Sequence, residues 1–157
     1  DGRRHHPHRA RYLTMRYCTR ADIGSAIPEN ILLQLSNDDS AAEQPNESVI
    51  LEAVRQAEEL VDGYLRGRYV LPLDPVPTVL RDAVVYLARH WLYQRRPEGA
   101  IPDAVKDSRK NAIGLLESIR DGAVTLGMPT GELAPEPGEI KVRSRRQQFS
   151  DDLWKGY

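Results

Sequence analysis

Histidines at the start of this 157-residue chain are the first residues whose type and spacing could do chemistry. His5, His6 and His8 are close enough in sequence to share a metal ion. They stand among arginines in a stretch without helical or strand periodicity, whereas a metal site needs ligands that a folded frame orients. The stronger interpretation is therefore a basic tail without a metal site, and we predict no metal and no cofactor.

Two further places could carry chemistry. Asp38 and Asp39 could bind a divalent cation, but the Gly and Glu of a calcium loop are absent at the needed spacing, which favours a solvated loop. His90 lies beside the apolar face of a predicted helix, and no Ser, Cys or paired-carboxylate motif places it in a triad. Because the carboxylates lack a partnered base or nucleophile, the sequence predicts that the protein is not an enzyme.

Charge is distributed unevenly along the chain. The net charge is −1, but residues 1–16 carry five arginines against one aspartate, and residues 140–157 carry five basic residues against two aspartates. Residues 17–139 hold 12 basic and 20 acidic residues, a net charge of −8. A DNA-binding domain concentrates Lys and Arg on its folded face, so this acidic body argues against one. Basic tails suit contact with an acidic partner.

Length and hydropathy point to one small domain with tails. Hydrophobic residues make up 40% of the chain, and the mean hydropathy is −0.55. The longest apolar runs are only a few residues, so no transmembrane helix and no membrane partner are expected. The basic N-terminus has no apolar segment of a secretory signal, and the single cysteine excludes an internal disulfide. A bacterial cytoplasm is compatible with both features.

A 3.6-residue rhythm predicts the first long helix over roughly 48–66, capped by Asn46 or Ser48. Its apolar stripe is Ile50, Ala53, Val54, Ala57, Leu60, Val61, Tyr64 and Leu65. Four polar residues lie off that stripe and are predicted to face solvent: Glu52, Arg55, Glu58 and Asp62.

Two more long helices follow. The second is predicted over roughly 78–95 with Thr78 as its cap, and the third from Pro102 or Asp103 to about Arg120. Gly122 is a suitable C-cap for the third helix. Two short N-terminal helices are predicted as well, over Arg20–Ser25 after a Thr19 cap and from Pro28 to Leu35. Residues 123–127 form a short apolar run that is compatible with one strand.

The stretch 57–77, AEELVDGYLRGRYVLPLDPVP, predicts a rigid corner between the first two long helices. Three prolines punctuate its second half. Tyr64 and Tyr69 flank Arg66 and Arg68 in this corner, and aromatic and arginine side chains are common anchors of protein interfaces. We predict a protein-contact surface at these four residues.

The C-terminal end predicts an arm. Residues 128–139 are rich in Pro and Gly and read as a linker. Residues 140–143, IKVR, alternate apolar and basic side chains like a lone edge strand. The candidate interface residues of this arm are Ile140, Val142, Arg145, Arg146, Phe149, Leu153, Trp154 and Tyr157. The alternative is a tail that folds back onto its own domain.

These motifs resemble one family, the small Mu-like phage proteins of the gene-product-thirty-six type. The resemblance covers about residues 15–127. It rests on the start at Met15, on the corner segment YLRGRYVLPL, on Trp91-Leu92-Tyr93 and on the closure from Leu115 to Gly127. The terminal pattern of aromatic residues matches more loosely. One departure is Ser108-Arg109, where the family pattern would place an aromatic residue.

The resemblance implies a mostly α-helical adaptor. A small bundle of three main helices plus short N-terminal helices would span residues 15–127. A flexible extension (residues 1–14) would precede it, and a Pro/Gly linker with a docking arm containing a short strand (128–157) would follow.

Such a protein would be a structural component of the virion neck, assembled in the host bacterial cytoplasm. The implied partners are the portal protein, neighbouring copies in a ring that is commonly twelvefold, and the tail terminator or other neck proteins. Double-stranded DNA would pass through the ring without specific binding, since an acidic wall repels phosphates. The alternative is a DNA-binding phage regulator in which Arg66, Arg68, Arg95 and Arg96 touch phosphate.

Overall fold

Five α-helices make up the part of the fold that the structure describes. The computed structural model describes residues 14–96 and 98–131. The helices are α1 (Arg20–Ala26), α2 (Glu29–Ser36), α3 (Glu47–Leu65), α4 (Thr78–Gln94) and α5 (Asp103–Arg120). The prediction of a mostly helical chain with three main helices and two short N-terminal ones is confirmed.

The three long helices form a bundle with α4 at its centre. α4 packs against both α3 and α5, which also touch each other, while α1 lies on α4 and α2 contacts α3 and α4. The apolar stripes meet in one core, because the 3.6-residue period places them on one face of each helix. The largest side chains with under 2% exposure are Ile23, Ile27, Leu32, Ile50, Val54, Val61, Leu65, Leu80, Val84, Leu92, Leu116 and Ile119.

Helix starts follow the local sequence with one exception. Thr19 and Asp22 form a capping box at α1, and the Asn46 side chain accepts from the Ser48 and Val49 amides at α3, as predicted. The prediction that Thr78 caps α4 is wrong. Pro77 occupies the N-cap position in extended geometry, and no side chain bonds the first turn.

The outer face of α3 differs from its prediction at three positions. Glu58 and Asp62 are predicted to face solvent, but they are buried at 2% and 6% exposure. The N-terminal segment, which includes Arg16 and Tyr17 before α1, covers them. Leu60, predicted in the core stripe, is 40% exposed. Glu52 and Arg55 pair with each other at the surface, as expected of a solvated face.

The chain after α5 closes against the α3–α4 corner. The predicted strand at 123–127 is wrong, and within the described ranges β pairing is limited to a single bridge between Tyr69 and Thr130. Gly122 follows α5 with a φ of +85°, a conformation that favours glycine, so its predicted role in ending the helix is confirmed. Thereafter the Gly131 amide donates to the Arg68 carbonyl at 3.0 Å.

Candidate interaction site

Glu58 holds the N-terminal segment against α3. Its Oε1 accepts the backbone N–H groups of Arg16 (2.6 Å) and Tyr17 (2.9 Å), and its Oε2 accepts from Arg16 Nε at 3.3 Å. These donors satisfy a carboxylate that would otherwise be costly to bury.

Asp62, one helical turn further along α3, also binds the N-terminal segment. Together Arg16, Tyr17, Glu58 and Asp62 form what we call the clasp. Its Oδ2 accepts from Arg16 Nη1 at 2.7 Å, and its Oδ1 accepts from the Tyr17 hydroxyl at 2.5 Å. Burial and the neighbouring Asp62 carboxylate raise the pKa of Tyr17, so its phenol stays protonated and remains a donor. Two carboxylates at i and i+4 are the sequence signal of such a clasp, but their partners lie more than 40 residues away.

An open groove of about 690 Å³ continues from the clasp along α3. Thr14 and Met15 border it on one side, and Leu51, Glu59 and Arg66 are among its residues on the other. Its lining mixes acidic, basic and apolar side chains.

The four predicted corner residues divide into two kinds. Arg66 is exposed and borders the groove, and Tyr64 is half-buried with the Arg120 guanidinium 5.6 Å from its ring centre. Tyr69 instead lies in the core at 4% exposure, where its hydroxyl accepts the Leu126 amide at 3.0 Å.

Arg68 donates through Nη1 to the Ile119 carbonyl at the end of α5. Arg68 and Tyr69 therefore hold the fold together, and only Tyr64 and Arg66 offer surface to a partner. The predicted arm residues lie outside the described residues: Ile140, Val142, Arg145, Arg146, Phe149, Leu153, Trp154 and Tyr157.

The two aspartates considered for chemistry have structural partners. Asp38 pairs with Arg95 Nη2 at 3.0 Å, and the Asp39 carboxylate accepts the Ala41 amide at 2.8 Å. Burial lowers the pKa of His90, and the positive charge of Arg109 lowers it further, so the imidazole is neutral near pH 7. Among residues 14–96 and 98–131, no group of three His, Cys, Asp or Glu side chains could hold a metal ion. His5, His6 and His8 lie outside that part of the chain.

Most arginines of the DNA-binding alternative are also engaged. Arg95 Nη1 donates to the Leu35 carbonyl at 2.8 Å, and Arg96 Nη2 donates to the carbonyls of Gln34 and Asn37. These bonds cap the C-terminal end of α2. With Arg68 bound to α5, three of the four arginines already bind backbone carbonyls, and Arg66 remains exposed.

The geometry defines a small helical bundle whose buried polar groups join distant chain segments and whose outer faces offer grooves. The chain belongs to the family described as Bacteriophage Mu, Gp36, whose family model matches residues 17–144. The predicted resemblance is therefore confirmed, and the chain is a protein of a bacteriophage family. No helix in the part of the chain that the structure describes is long and apolar enough to cross a membrane.

Two relatives are similar to this chain. The Mu-like prophage FluMu protein gp36 of Haemophilus influenzae (strain Rd) is 37% identical over 87 residues, which are 55% of this chain and 59% of the relative. That match spans less than two thirds of the relative. Gene product J of Escherichia phage Mu is 30% identical over 138 residues, which are 87% of this chain and 95% of the phage protein.

Proposed function

We propose that the protein is a head–tail connector, a structural adaptor in the neck of a tailed phage. Membership of a Mu phage family supports a role in the phage particle. The observation that carries the proposal is the architecture. The described residues form a helical bundle, and residues 132–157 carry five basic and three aromatic residues. A compact body with a long arm suits repetition around an axis.

In this proposal the partners are the portal protein, neighbouring copies in a ring of about twelve, and the tail terminator or other neck proteins. The protein is not an enzyme, and it acts in the virion after assembly in the host bacterial cytoplasm. Arms of this kind become ordered on contact, when a neighbouring protein supplies the core that they lack.

The charge of the bundle supports a channel that lets DNA pass. Residues 14–131 carry 13 basic and 17 acidic residues, and like charge repels phosphates. The arginines bound to carbonyls weaken the alternative of a DNA-binding regulator. A mobility-shift assay on double-stranded DNA should show no salt-dependent binding near physiological salt, whereas a regulator would bind.

The arm is the proposed docking element. Residues 140–143 would add as a strand to the edge of another chain, where Ile140 and Val142 fix the register. Phe149, Leu153 and Trp154 would fill apolar pockets, and Arg145 and Arg146 would meet acidic groups. The buried apolar residues of the described part of the chain form one core.

Truncation after Glu139 tests this role. The shortened chain should keep the helical circular-dichroism signal and melting of the full chain, while its capture by immobilised portal protein should fall. Trp154→Ala in the full chain should weaken capture by about 2 kcal/mol, the size of an aromatic anchor. Loss of the helical melt on truncation would place the arm in its own core. Undiminished portal binding would overturn the docking role.

Location within the particle is the direct test of the connector proposal. A density map of an intact virion should show this chain between portal and tail. Density for it only in the tail or the baseplate would contradict the proposal.

A further inference from the structure

The N-terminal segment (residues 14–18) is attached to the bundle differently from the helices. Among the described residues, every hydrogen bond between this segment and a helix runs to the side chain of Glu58 or Asp62. The helices instead pack on one another through the apolar side chains of one core. The polar attachment of the segment therefore depends on two side chains of α3.

The first helix, α1, begins and packs without help from this segment. Thr19, in extended geometry, forms a capping box with Asp22, so residues of the helix end itself satisfy its first turn. Ile23 in α1 and Ile27 just after it are at most 1% exposed, and α1 lies on α4. The chain can therefore hinge at Thr19 and lift residues 14–18 while α1 stays in place.

The closed segment covers acidic side chains of α3. The Glu58 and Asp62 side chains are 3% and 9% exposed beneath it, whereas the Arg16 side chain is 35% exposed. The groove of about 690 Å³ starts at the same place, with Thr14 and Met15 along one side. Lifting the segment would remove that side of the groove and expose two carboxylates one helical turn apart.

We propose that residues 14–18 are a latch, which opens and closes on the folded bundle about a hinge at Thr19, and that Glu58 and Asp62 set the population of its closed state. The closed latch hides an acidic stretch of α3, and the open latch makes it accessible. A terminal segment opens at a lower free energy than the whole fold because fewer contacts are lost. The latch is a property of this chain alone and does not rest on the connector proposal.

Cys18 is a natural reporter of the latch, because it is the single cysteine of the chain and lies in the segment. It is 5% exposed when the latch is closed. Burial raises the pKa of the Cys18 thiol to about 12, and the negative charges of Glu58 and Asp22 contribute to the rise. Because the thiolate is the reactive form, the closed state should resist labelling, whereas an open latch carries a thiol with an ordinary pKa.

Labelling of the full chain with excess dithiobis(nitrobenzoate) at about pH 8 measures the opening, since the Cys18 thiolate is then reactive only where it is accessible. The thiolate forms a mixed disulfide with one half of the reagent and releases the other half as a coloured thiolate. Dividing the rate by that of the urea-unfolded chain gives the population of the open latch. Opening exposes little surface, so the rate in low urea should rise with a slope well below that of global unfolding.

Three variants make the test specific. Glu58→Gln should speed labelling at least about 10-fold, the equivalent of 1.4 kcal/mol, because the latch loses an acceptor. The matched control Glu59→Gln makes the same change at an exposed side chain and should alter the rate less than about 2-fold. Ile119→Val, at a fully buried position of α5, should lower the urea midpoint and leave the labelling rate in the absence of urea unchanged.

Three results would overturn the latch: a urea slope of labelling equal to that of global unfolding, a rate in Ile119→Val raised in proportion to its lost stability, or equal rates for Glu58→Gln and Glu59→Gln. The first two would show that Cys18 becomes accessible only when the whole bundle unfolds. The third would show that the clasp does not hold the segment. Circular dichroism checks that each variant is folded, and the wild-type slope and Ile119→Val decide the matter even where Glu58→Gln does not fold.

Discussion

At the scale of single residues, Glu58 shows how a small helical domain accommodates a buried charge. Burying a carboxylate is costly unless hydrogen bonds compensate it. Glu58 accepts two backbone amides and one guanidinium N–H, all from Arg16 and Tyr17. The same bonds tie the N-terminal segment to the middle of α3, so one side chain links two distant parts of the chain.

Glu58→Gln should lower the free energy of unfolding by about 2 kcal/mol, because one of its two polar atoms becomes an NH₂ group that cannot accept: either the two backbone amides at Oε1 or the Arg16 Nε–H at Oε2 then loses its acceptor. The matched control is Glu59→Gln, next in sequence, whose side chain is 58% exposed and pairs with Arg55 at the surface. That change should cost under about 0.5 kcal/mol. Urea unfolding of both variants measures the difference, and equal losses would contradict the clasp.

The lowered pKa of Glu52 predicts that part of the free energy of unfolding is lost at acid pH. Hydrogen bonds from Arg55 and then Gln56 lower the pKa of Glu52 from 4.5 to about 2. A carboxyl group with a depressed folded pKa stabilises the fold above its unfolded pKa, and that contribution is lost as the pH falls towards about 2. The effect is small because the side chain is exposed.

Urea midpoints between pH 2 and 7 measure this dependence. The curve of Glu52→Gln should be flatter than the wild-type curve between about pH 4.5 and 2, and the difference should shrink at high salt. Parallel curves would exclude this role for Glu52.

At the scale of elements, the end of α5 depends on a backbone conformation and on a side chain from another element. Gly122 turns the chain with positive φ, and the Arg68 guanidinium from the α3–α4 corner donates to the Ile119 and Val124 carbonyls. An added Cβ at Gly122 would lie 3.6 Å from Arg68 Nη1. The positive φ of Gly122 and the hydrogen bonds from Arg68 therefore both contribute to ending α5.

Two glycines of this region should respond to alanine in opposite directions. Gly122→Ala should destabilise the fold by about 1–2 kcal/mol, because L-residues are strained at positive φ. Gly114→Ala, in the exposed interior of α5 where an added methyl group would meet nothing within 4 Å, should stabilise it by about 0.5–1 kcal/mol. Thermal unfolding of the two variants checks the pair. A stabilising Gly122→Ala would contradict the cap.

At the scale of the whole molecule, the described residues combine one core with several open grooves. One groove follows the clasp on α3, and another lies between α4 and α5. The apolar fraction of the chain is small, at 40%, whereas obligate oligomers bury large apolar surfaces. The purified full chain should therefore be monomeric or weakly associated and should form rings beside its portal partner.

Mass photometry at nanomolar concentration measures the state of the lone protein. A monomer peak is expected, and addition of portal protein should produce larger species. A stable ring of the lone protein under these conditions would refute this expectation.

Local sequence determined most of the helical elements. The 3.6-residue rhythm located all three long helices, and the caps at Thr19 and Asn46 and the turn at Gly122 were predictable because each depends on residues within one helical turn. The corner segment also carried the resemblance that the family match confirms. These features follow from chemistry between near neighbours in the chain.

Tertiary structure decided which polar and aromatic side chains face inward. The sequence predicts that Glu58 faces solvent. In the fold, Arg16 and Tyr17, which are 42 and 41 residues away, lie against it and bury it. The sequence predicts that Arg68 is an interface residue. In the fold, the end of α5 lies beside it and accepts its hydrogen bond. The groove between α4 and α5, which Tyr86 borders, exists only once α5 packs alongside α4. A buried charge or a groove depends on partners distant in sequence, and periodicity along one helix contains no information about them.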